Sequence, residues 1–200
     1  MAARGFGTDP AGLAKALEEG QEVAIRAEAA FLLGYLHAAS AAPALKKALT
    51  DESARVRVEA ALALARLSDR KIAFAVLERE LNGQFFADAP LRAARALAVL
   101  GDPRGYPRVV EALDSEFPSN RMEAVAVLPA FLPYQGRTVA GTPINPLDQL
   151  LRAARDTEPL LRRDALTALA TIDDQRATAA VAAAAAADPD EQVREFAQQL

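Results

Sequence analysis

The sequence predicts an all-α protein, built as an α-solenoid of about five to six stacked helical hairpins. Of its 200 residues, 48 are alanine and 26 are leucine, and both residue types favour helices. One motif recurs along the chain, with a period that holds two helices and two turns. Glycine, proline and aspartate separate the helical segments. Together these observations predict that each repeat is a helical hairpin.

The recurring motif is an aliphatic residue and an arginine, then small and large apolar residues at helical spacing, then an acidic turn. Its clearest copy covers residues 51–69. Successive copies lie 31, 33, 31, 41 and 32 residues apart, so the fourth interval holds an insertion of about ten residues. The equivalent positions are Arg26, Arg57, Pro90, Arg121, Arg162 and Arg194.

The second repeat shows how the helices are predicted. Apolar spacing indicates a first helix over about 54–67 and a second over about 70–81, with Ile72 facing the core. Asp51 or Ser53 is expected to cap the first helix, because a short side-chain oxygen accepts free backbone N–H groups. Asp69 is expected to cap the second helix in the same way.

Two proline-containing segments change this pattern. In the fourth repeat, Pro129 predicts that the first helix ends or kinks near residue 128, because proline lacks a backbone N–H. Residues 132–146 contain three prolines and two glycines, which predict a loop. Long loops on a rigid scaffold often carry function, and a tolerated surface insertion is the alternative. Its candidate contact residues are Tyr134, Gln135, Arg137, Thr142 and Asn145.

The motif resembles HEAT repeats, in particular the short bacterial type that is also found in phycobilisome lyases. The residues that carry the resemblance are Val56-Arg57 with Ala60-Ala61, Gly101-Asp102-Pro103, and Leu161-Arg162 with Ala165. It covers about residues 20–200. The resemblance implies a HEAT-like superhelix in which the second helix of each hairpin lines a concave binding face.

The expected organisation is one HEAT-like repeat domain over residues 1–200. Residues 1–8 are expected to be a frayed terminus, and a truncation within a sixth repeat is an alternative interpretation of the C-terminal segment. The expected segments are an N-terminal capping helix over 9–19, five repeats over 20–188 and a C-terminal capping helix over 189–200.

Composition excludes several classes of chemistry. The chain has no cysteine, so it has no disulfide, thiolate nucleophile or cysteine-bound metal. Its single histidine, His37, is expected to interact with carbonyls at a helix end rather than act as a catalytic base. We expect no catalytic residue, cofactor or metal. The apolar runs are too short to span a membrane, and no leader segment is evident, so we expect a cytoplasmic protein with no membrane partner.

Charged residues on the predicted second helices are the main candidates for binding a partner. An ordinary solvated surface is the alternative for this face. Phe85 and Phe86, with Tyr106, are aromatic residues expected near it. The charged candidates are Lys46, Lys47, Glu78, Arg79, Arg108, Glu111, Arg152 and Arg155. The repeat arginines are instead expected to be structural, with the stem covering apolar surface and the head binding the acid of a neighbouring turn.

These observations favour a non-catalytic scaffold that binds another protein on its concave face. The alternative from a different class, implied only by the resemblance, is a bilin lyase or a chromophore chaperone acting on phycobiliproteins. In that case, arginines would hold the bilin propionates, with Tyr106 or an aspartate near the pyrrole nitrogens. Nucleic acid is a poor candidate, because the net charge is −4.

Overall fold

The computed structural model describes residues 6–67, 69–83 and 89–200, which form two compact units. The N-terminal unit is Met1–Asp102 and the C-terminal unit is Pro103–Leu200. Stacked helical hairpins make up both units, which confirms the predicted fold class. The organisation as one repeat domain stays a prediction, and residues 1–5 of the expected frayed terminus lie outside the described residues.

In the N-terminal unit, α2 and α3 form the first hairpin, and α4 and α5 form the second. The first helices α2, α4 and α6 pack side by side, and α1 packs against α2 and α3. A short 3-10 turn, Ala39–Ala41, precedes α3. The helices are α1 (Pro10–Glu19), α2 (Val23–Tyr35), α3 (Ala42–Ala48), α4 (Ala54–Arg66), α5 (Arg70–Leu81) and α6 (Ala89–Val99).

In the C-terminal unit, α8 and α9 belong to the fourth repeat, α10 and α11 form the fifth, and α12 follows. The first helices α8, α10 and α12 pack side by side. The 3-10 segments are Pro103–Gly105 and Leu128–Tyr134. The helices are α7 (Tyr106–Leu113), α8 (Pro118–Val127), α9 (Pro146–Ala153), α10 (Pro159–Leu169), α11 (Gln175–Ala187) and α12 (Glu191–Ala197).

Small residues let neighbouring first helices approach closely. Gly34 of α2 faces Ala63 of α4, and a Cβ atom at position 34 would lie 2.7 Å from the Ala63 Cα. Ala60 and Ala61 on the same helix are fully buried. A larger side chain at these positions would push the helices apart, because protein interiors leave little free space. The alanine-rich composition therefore sets the spacing between repeats.

The proline-rich insertion is ordered rather than an irregular loop. The helix α8 ends at Val127, as predicted, and a 3-10 segment follows, which contains Pro133. Strands β1 (Thr138–Val139) and β2 (Thr142–Pro143) then form a small antiparallel hairpin. Its turn contains Ala140 and Gly141, both with positive φ, as a two-residue hairpin turn requires.

Two details of the second repeat differ from the sequence prediction. Ser53 stands at the start of α4, but its side chain makes no capping hydrogen bond, and Asp51 instead accepts the Ser53 N–H through its side chain. Ile72 is 42% exposed, so its predicted burial was wrong. Leu77, which the same spacing also places in the core, is fully buried, and the other buried residues of α5 are Ala73, Glu80 and Leu81.

The repeat arginines make one recurring set of contacts, which we call the arginine ladder (Arg26, Arg57, Arg121, Arg162 and Arg194). In each copy, Nη1 donates to the carbonyls six and five residues upstream, in the turn before its own helix. For Arg162, these are the carbonyls of Asp156 and Thr157, at 2.9 and 3.2 Å. The arginine thereby satisfies turn carbonyls and ties the turn to the helix.

The other edge of the guanidinium binds a carboxylate that begins the next repeat. Arg162 donates through Nε and Nη2 to the two carboxylate oxygens of Asp188, at 2.9 and 2.6 Å. Such two-bonded ionic contacts are stronger and more directional than single hydrogen bonds. The prediction that the arginine head binds a neighbouring turn acid is therefore confirmed. The pairs of this kind are Arg26–Asp51, Arg121–Asp156 and Arg162–Asp188.

Each aspartate of the ladder joins two repeats. The Asp188 side chain accepts from Arg162, while its backbone carbonyl accepts from Arg194. The same carboxylate also accepts the backbone N–H of Asp190, as Asp51 accepts that of Ser53. A single residue therefore fixes the turn, receives the preceding arginine and supports the following one.

The ladder changes where the third repeat lacks its arginine. Pro90 stands at that position, and Ser115 occupies the acid position of the next turn, so both members of one pair are absent. Arg57 binds Glu80 of α5 through two bonds of 2.8 Å. Burial would raise the pKa of Glu80, but the bonds from Arg57 and Arg79 outweigh it and hold the pKa below its ordinary value.

The ladder also controls the titration of its aspartates. The hydrogen bonds from Arg162 hold the pKa of Asp188 below its ordinary value, although burial opposes them. Burial is the largest influence on Asp51 and Asp156 and would raise both pKa values. Bonds from Arg26 and Arg121, together with a backbone N–H in each case, outweigh it, so these pKa values are also lowered.

Replacing Asp188 by alanine should destabilise the protein by about 3–5 kcal/mol, because it leaves the Arg162 guanidinium buried without a counter-charge. The side chains of Arg162 and Asp188 are only 7% and 5% exposed. Guanidinium-induced unfolding followed by circular dichroism measures the change. Asp114→Ala is the control, since it removes the partner of exposed Arg152 and should cost less than about 1 kcal/mol. Equal losses in the two variants would contradict the role given to the ladder.

Acid should unfold the protein by protonating the ladder aspartates. Their pKa values are lower in the folded chain than in the unfolded chain, so the unfolded chain binds protons first. The stabilisation is complete above the unfolded value of about 3.9 and is lost as pH falls through the folded values. Urea unfolding at several pH values between about pH 6 and pH 3 measures the free energy of unfolding and tests this prediction. At neutral pH, Asp188→Asn should have a lower free energy of unfolding than wild type, and it should lose less of this free energy on acidification. If the free energies of the two proteins fell in parallel with pH, the explanation would be rejected.

Candidate functional site

A groove lies between α9 and α11, the second helices of the fourth and fifth repeats. Its volume is about 730 Å³. A further depression of about 150 Å³ shares Leu151 and Arg155 with it and continues along α11 as far as Asp188. The two depressions together form one elongated groove. The residues lining its larger part are Asp148, Leu151, Arg152, Arg155, Arg176, Ala179, Ala180 and Ala183.

The floor of the groove is apolar because α11 is almost entirely alanine. Ala179 and Ala183 are exposed, and Ala180 is half-buried between them. Alanine ends at Cβ, so this helix leaves an open channel beside Leu151 of α9. The groove exists because short side chains follow one another on α11, and a partner could bury its apolar surface there without displacing long side chains.

The rim of the groove is cationic. Arg152 donates to Asp114 at 2.6 Å, and Arg176 donates to Asp148 at 2.9 Å. All four side chains are more than half exposed, so each pair contributes little to stability and can exchange its carboxylate. Arg155 is exposed, and its guanidinium makes no hydrogen bond or ion pair with any residue that the structure describes. The rim therefore offers one free guanidinium beside two weakly held ones.

Other charged candidates lie outside the groove and are already paired. Arg108 binds Glu111 at 3.1 Å on α7. In the N-terminal unit, Arg79 donates to the ladder residue Glu80. Lys46 binds the Asp69 carboxylate at 2.8 Å. Asp69 stands at the start of α5, as predicted, but its side chain makes no capping hydrogen bond. Lys47 lies 3.7 Å from Glu18.

Tyr106 and Tyr134, two of the candidate contact residues, are buried, so neither ring is accessible to a partner. The Tyr106 ring is fully buried against Phe131, at 5.1 Å between centroids. Its hydroxyl donates to the Asn145 side chain and accepts the Asn145 N–H. Burial raises the pKa of Tyr106, although the Asn145 N–H opposes the change. Tyr134 is 8% exposed.

These contacts show that the insertion packs through its base and exposes its tip. Tyr106 and Asn145 anchor the base, and buried Ile144 packs beside them. Arg137 is exposed and lies over the Tyr134 ring, 5.6 Å from its centroid. Of the predicted loop contacts, Gln135 and Arg137 remain accessible. Phe85 and Phe86, predicted near the binding face, lie outside the described residues.

Sequence reasoning identified Arg152 and Arg155 but missed the opposite wall. Arg176 and Asp148 lie on neighbouring second helices and meet only when the hairpins stack. The sequence did contain a signal for this wall, because residues 179–187 are alanine except for one valine, and such short side chains leave a channel on a helix surface. In the structure, Ala177 is the one fully buried residue of α11. No helix among the described residues is long and apolar enough to span a bilayer.

Comparison with known proteins supports the repeat architecture. Residues 10–84 match a model of HEAT repeats, and residues 90–115 match a model of the PBS lyase HEAT-like repeat. No curated protein sequence gave a match.

Two solved structures show the same fold. The complex of CpcE and CpcF of phycocyanin lyase from Nostoc sp. is 23% identical, with a TM-score of 0.52 over 95% of this chain and 73% of that chain. YibA from E. coli is 15% identical, with a TM-score of 0.54 over 94% of this chain and 68% of that chain. At these identities the similarity concerns the fold alone.

Proposed function

Because residues 10–84 and 90–115 match HEAT-repeat models, we propose that the chain is a non-catalytic scaffold that binds a protein partner through the groove between α9 and α11. The observation that carries the proposal is the unpaired Arg155 guanidinium above an exposed alanine floor. HEAT repeats generally mediate protein interactions, which supports this class of function. The cytoplasmic location expected from the sequence is part of the same proposal.

The shape of the groove favours an elongated ligand. It follows α11, which runs over Gln175–Ala187, and a helix of 13 residues is about 20 Å long. A partner helix could lie along it with small or aliphatic residues on the alanine floor. Helix-in-groove recognition of this kind uses apolar residues at helical spacing for affinity.

The charge of the rim favours an acidic partner. Arg155 accommodates a carboxylate without breaking any contact, and Arg152 can exchange Asp114 for a partner carboxylate at little cost. Arginine suits this role because its planar fork binds a carboxylate through two hydrogen bonds. We therefore infer an amphipathic partner helix with carboxylates along the edges of its apolar face.

Charge reversal at Arg152 and Arg155, both to glutamate, should weaken partner binding at least about tenfold, because like charges then face the partner. An affinity pull-down from the native cell with mass spectrometry identifies candidate partners. Titration calorimetry of the purified partner then measures the dissociation constant for wild type and variant.

Arg137→Glu is the matched control, since it reverses an exposed charge on the insertion and leaves the groove unchanged. It should bind as wild type does. Circular dichroism should show equal helicity in all three proteins, because the groove arginines are exposed and paired weakly. Unchanged affinity in the double variant would reject the groove as the binding site.

The second candidate function is that of a bilin lyase or chromophore chaperone. The match of residues 90–115 and the phycocyanin lyase structure favour it over other classes of enzyme. The groove arginines would hold the two propionates. Buried Tyr106 has no access to a ligand, so Asp148 on the rim is the acid that would approach the pyrrole nitrogens.

Mixing the protein with free phycocyanobilin and recording the absorbance spectrum separates the two candidates. The scaffold proposal predicts no spectral shift and no transfer of bilin to an apo-phycobiliprotein, because no reactive centre is required. A shift that disappears in the Arg152→Glu, Arg155→Glu protein would favour the lyase and overturn the scaffold. The unmodified spectrum of bilin in buffer is the reference.

A further inference from the structure

A second group of arginines surrounds Glu59 on the first helices of the N-terminal unit. Arg55, Glu59 and Arg66 lie on one face of α4, because their spacings of four and seven residues are close to whole helical turns. Arg92 and Arg95 lie on α6, which packs against α4. We call these four guanidiniums and their central carboxyl the Glu59 cluster.

Glu59 is enclosed by this cluster without being bonded to it. Its Oε2 atom is shielded from solvent and has no hydrogen-bond partner among the residues that the structure describes. Burial raises the pKa of Glu59, and all four arginines act in the opposite direction, Arg95 and Arg92 most strongly. The spacing on α4 places Arg55 and Arg66 on the face of Glu59, and α6, which carries Arg92 and Arg95, packs against this helix.

Three of the four arginines are available to a ligand. The guanidiniums of Arg55, Arg66 and Arg95 make no hydrogen bond or ion pair with any residue described in the structure, whereas that of Arg162 is bonded on two edges. Arg55 and Arg95 are exposed, and Arg66 is half-buried. The three available guanidiniums and one carboxyl leave an excess of positive charge, which an external anion would neutralise.

Exposed apolar residues adjoin the cluster. Val99 lies one turn beyond Arg95 on α6 and is 47% exposed. On α2, Phe31 and Tyr35 are exposed and stack at 6.3 Å between ring centroids. The 31-residue shift that relates Arg26 to Arg57 also relates Tyr35 to Arg66, so these two occupy equivalent levels on adjacent helices.

From this arrangement we propose that the Glu59 cluster is a second docking site, which binds an acidic segment of a partner protein through carboxylate or phosphate-ester oxygens. Arginine forks suit both kinds of oxyanion. The adjoining valine and aromatic rings add apolar contact that a peptide can use. The proposal is independent of the groove between α9 and α11, because it rests on different helices in the other unit.

Nucleic acid fits the cluster less well. A polyphosphate backbone requires a continuous basic surface, whereas Glu59 and exposed Glu28 place carboxylates on this face. The whole chain also carries a net charge of −4. A short acidic peptide instead needs only a few guanidiniums and tolerates carboxylates between them.

Fluorescence anisotropy with short labelled peptides tests the proposal. The probes are a peptide of alternating glutamate and leucine, its phosphoserine–leucine counterpart, its glutamine–leucine counterpart and single-stranded DNA. Binding of either anionic peptide, with at least about tenfold weaker binding of the neutral one, is expected. The stronger of the two anionic peptides identifies the oxyanion, carboxylate or phosphate ester.

Two variants act in opposite directions and separate a binding role from a structural one. Arg66→Gln with Arg95→Gln should weaken peptide binding about tenfold, because it removes two guanidiniums without a large change in shape. Glu59→Gln should strengthen binding about threefold, because it removes the carboxylate that repels the ligand. Arg137→Gln, which removes a charge from the insertion, is the control and should match wild type.

Three results would each overturn the proposal. The first is equal affinity of the anionic and neutral peptides. The second is unchanged affinity in both cluster variants. The third is tighter, steeply salt-dependent binding of single-stranded DNA than of either anionic peptide, which would make the cluster a nucleic-acid site. Loss of groove binding leaves these results unaffected, so failure of the two proposals is distinguishable.

Discussion

The fold depends on how one guanidinium satisfies two sets of acceptors at once. Each of three ladder arginines binds two turn carbonyls with one nitrogen and both oxygens of an aspartate with its other edge. Lysine could not replace a ladder arginine, since a single ammonium group cannot reach acceptors that lie on two edges of the planar guanidinium. The buried charges are tolerated because all their acceptors are supplied by protein. Alanine-rich helices then allow the turns to come within reach of each other.

Much of this fold follows from local sequence, and therefore could be predicted. Helical spacing, proline and glycine positions and the arginine period are all encoded within single repeats. The bonding of Arg26, Arg121 and Arg162 to turn acids was also predictable, because an aspartate begins the repeat that follows each of them. The partner of Arg57 was not, since Glu80 reaches it only through the packing of α5. Ile72 shows the same limit, because packing against the neighbouring helices decides which residues at the edge of the apolar face of α5 are buried.

The binding surface was less predictable, because it depends on contacts between repeats. Arg152 and Arg155 could be placed on a second helix, and the resemblance to HEAT repeats implied that such helices line the binding face. Tyr106 was misplaced because the insertion, distant in sequence, covers it and bonds its hydroxyl through Asn145. The Glu59 cluster was missed for a related reason, since Arg92 and Arg95 approach Glu59 only when α6 stacks on α4. Charge patterns across stacked helices are invisible in a linear sequence until the register is known.

The ladder also has a consequence for how such a chain can change in length. The fifth repeat carries both an acceptor aspartate in its turn and a donor arginine six residues later, Asp156 and Arg162, and the segment after it carries the same pair, Asp188 and Arg194. Deleting or duplicating this repeat as a whole therefore joins a donor to an equivalent acceptor, and no buried charge is orphaned. A deletion of half the repeat would separate them. Gene duplication can accordingly change the length of the chain at this repeat without redesigning its junctions.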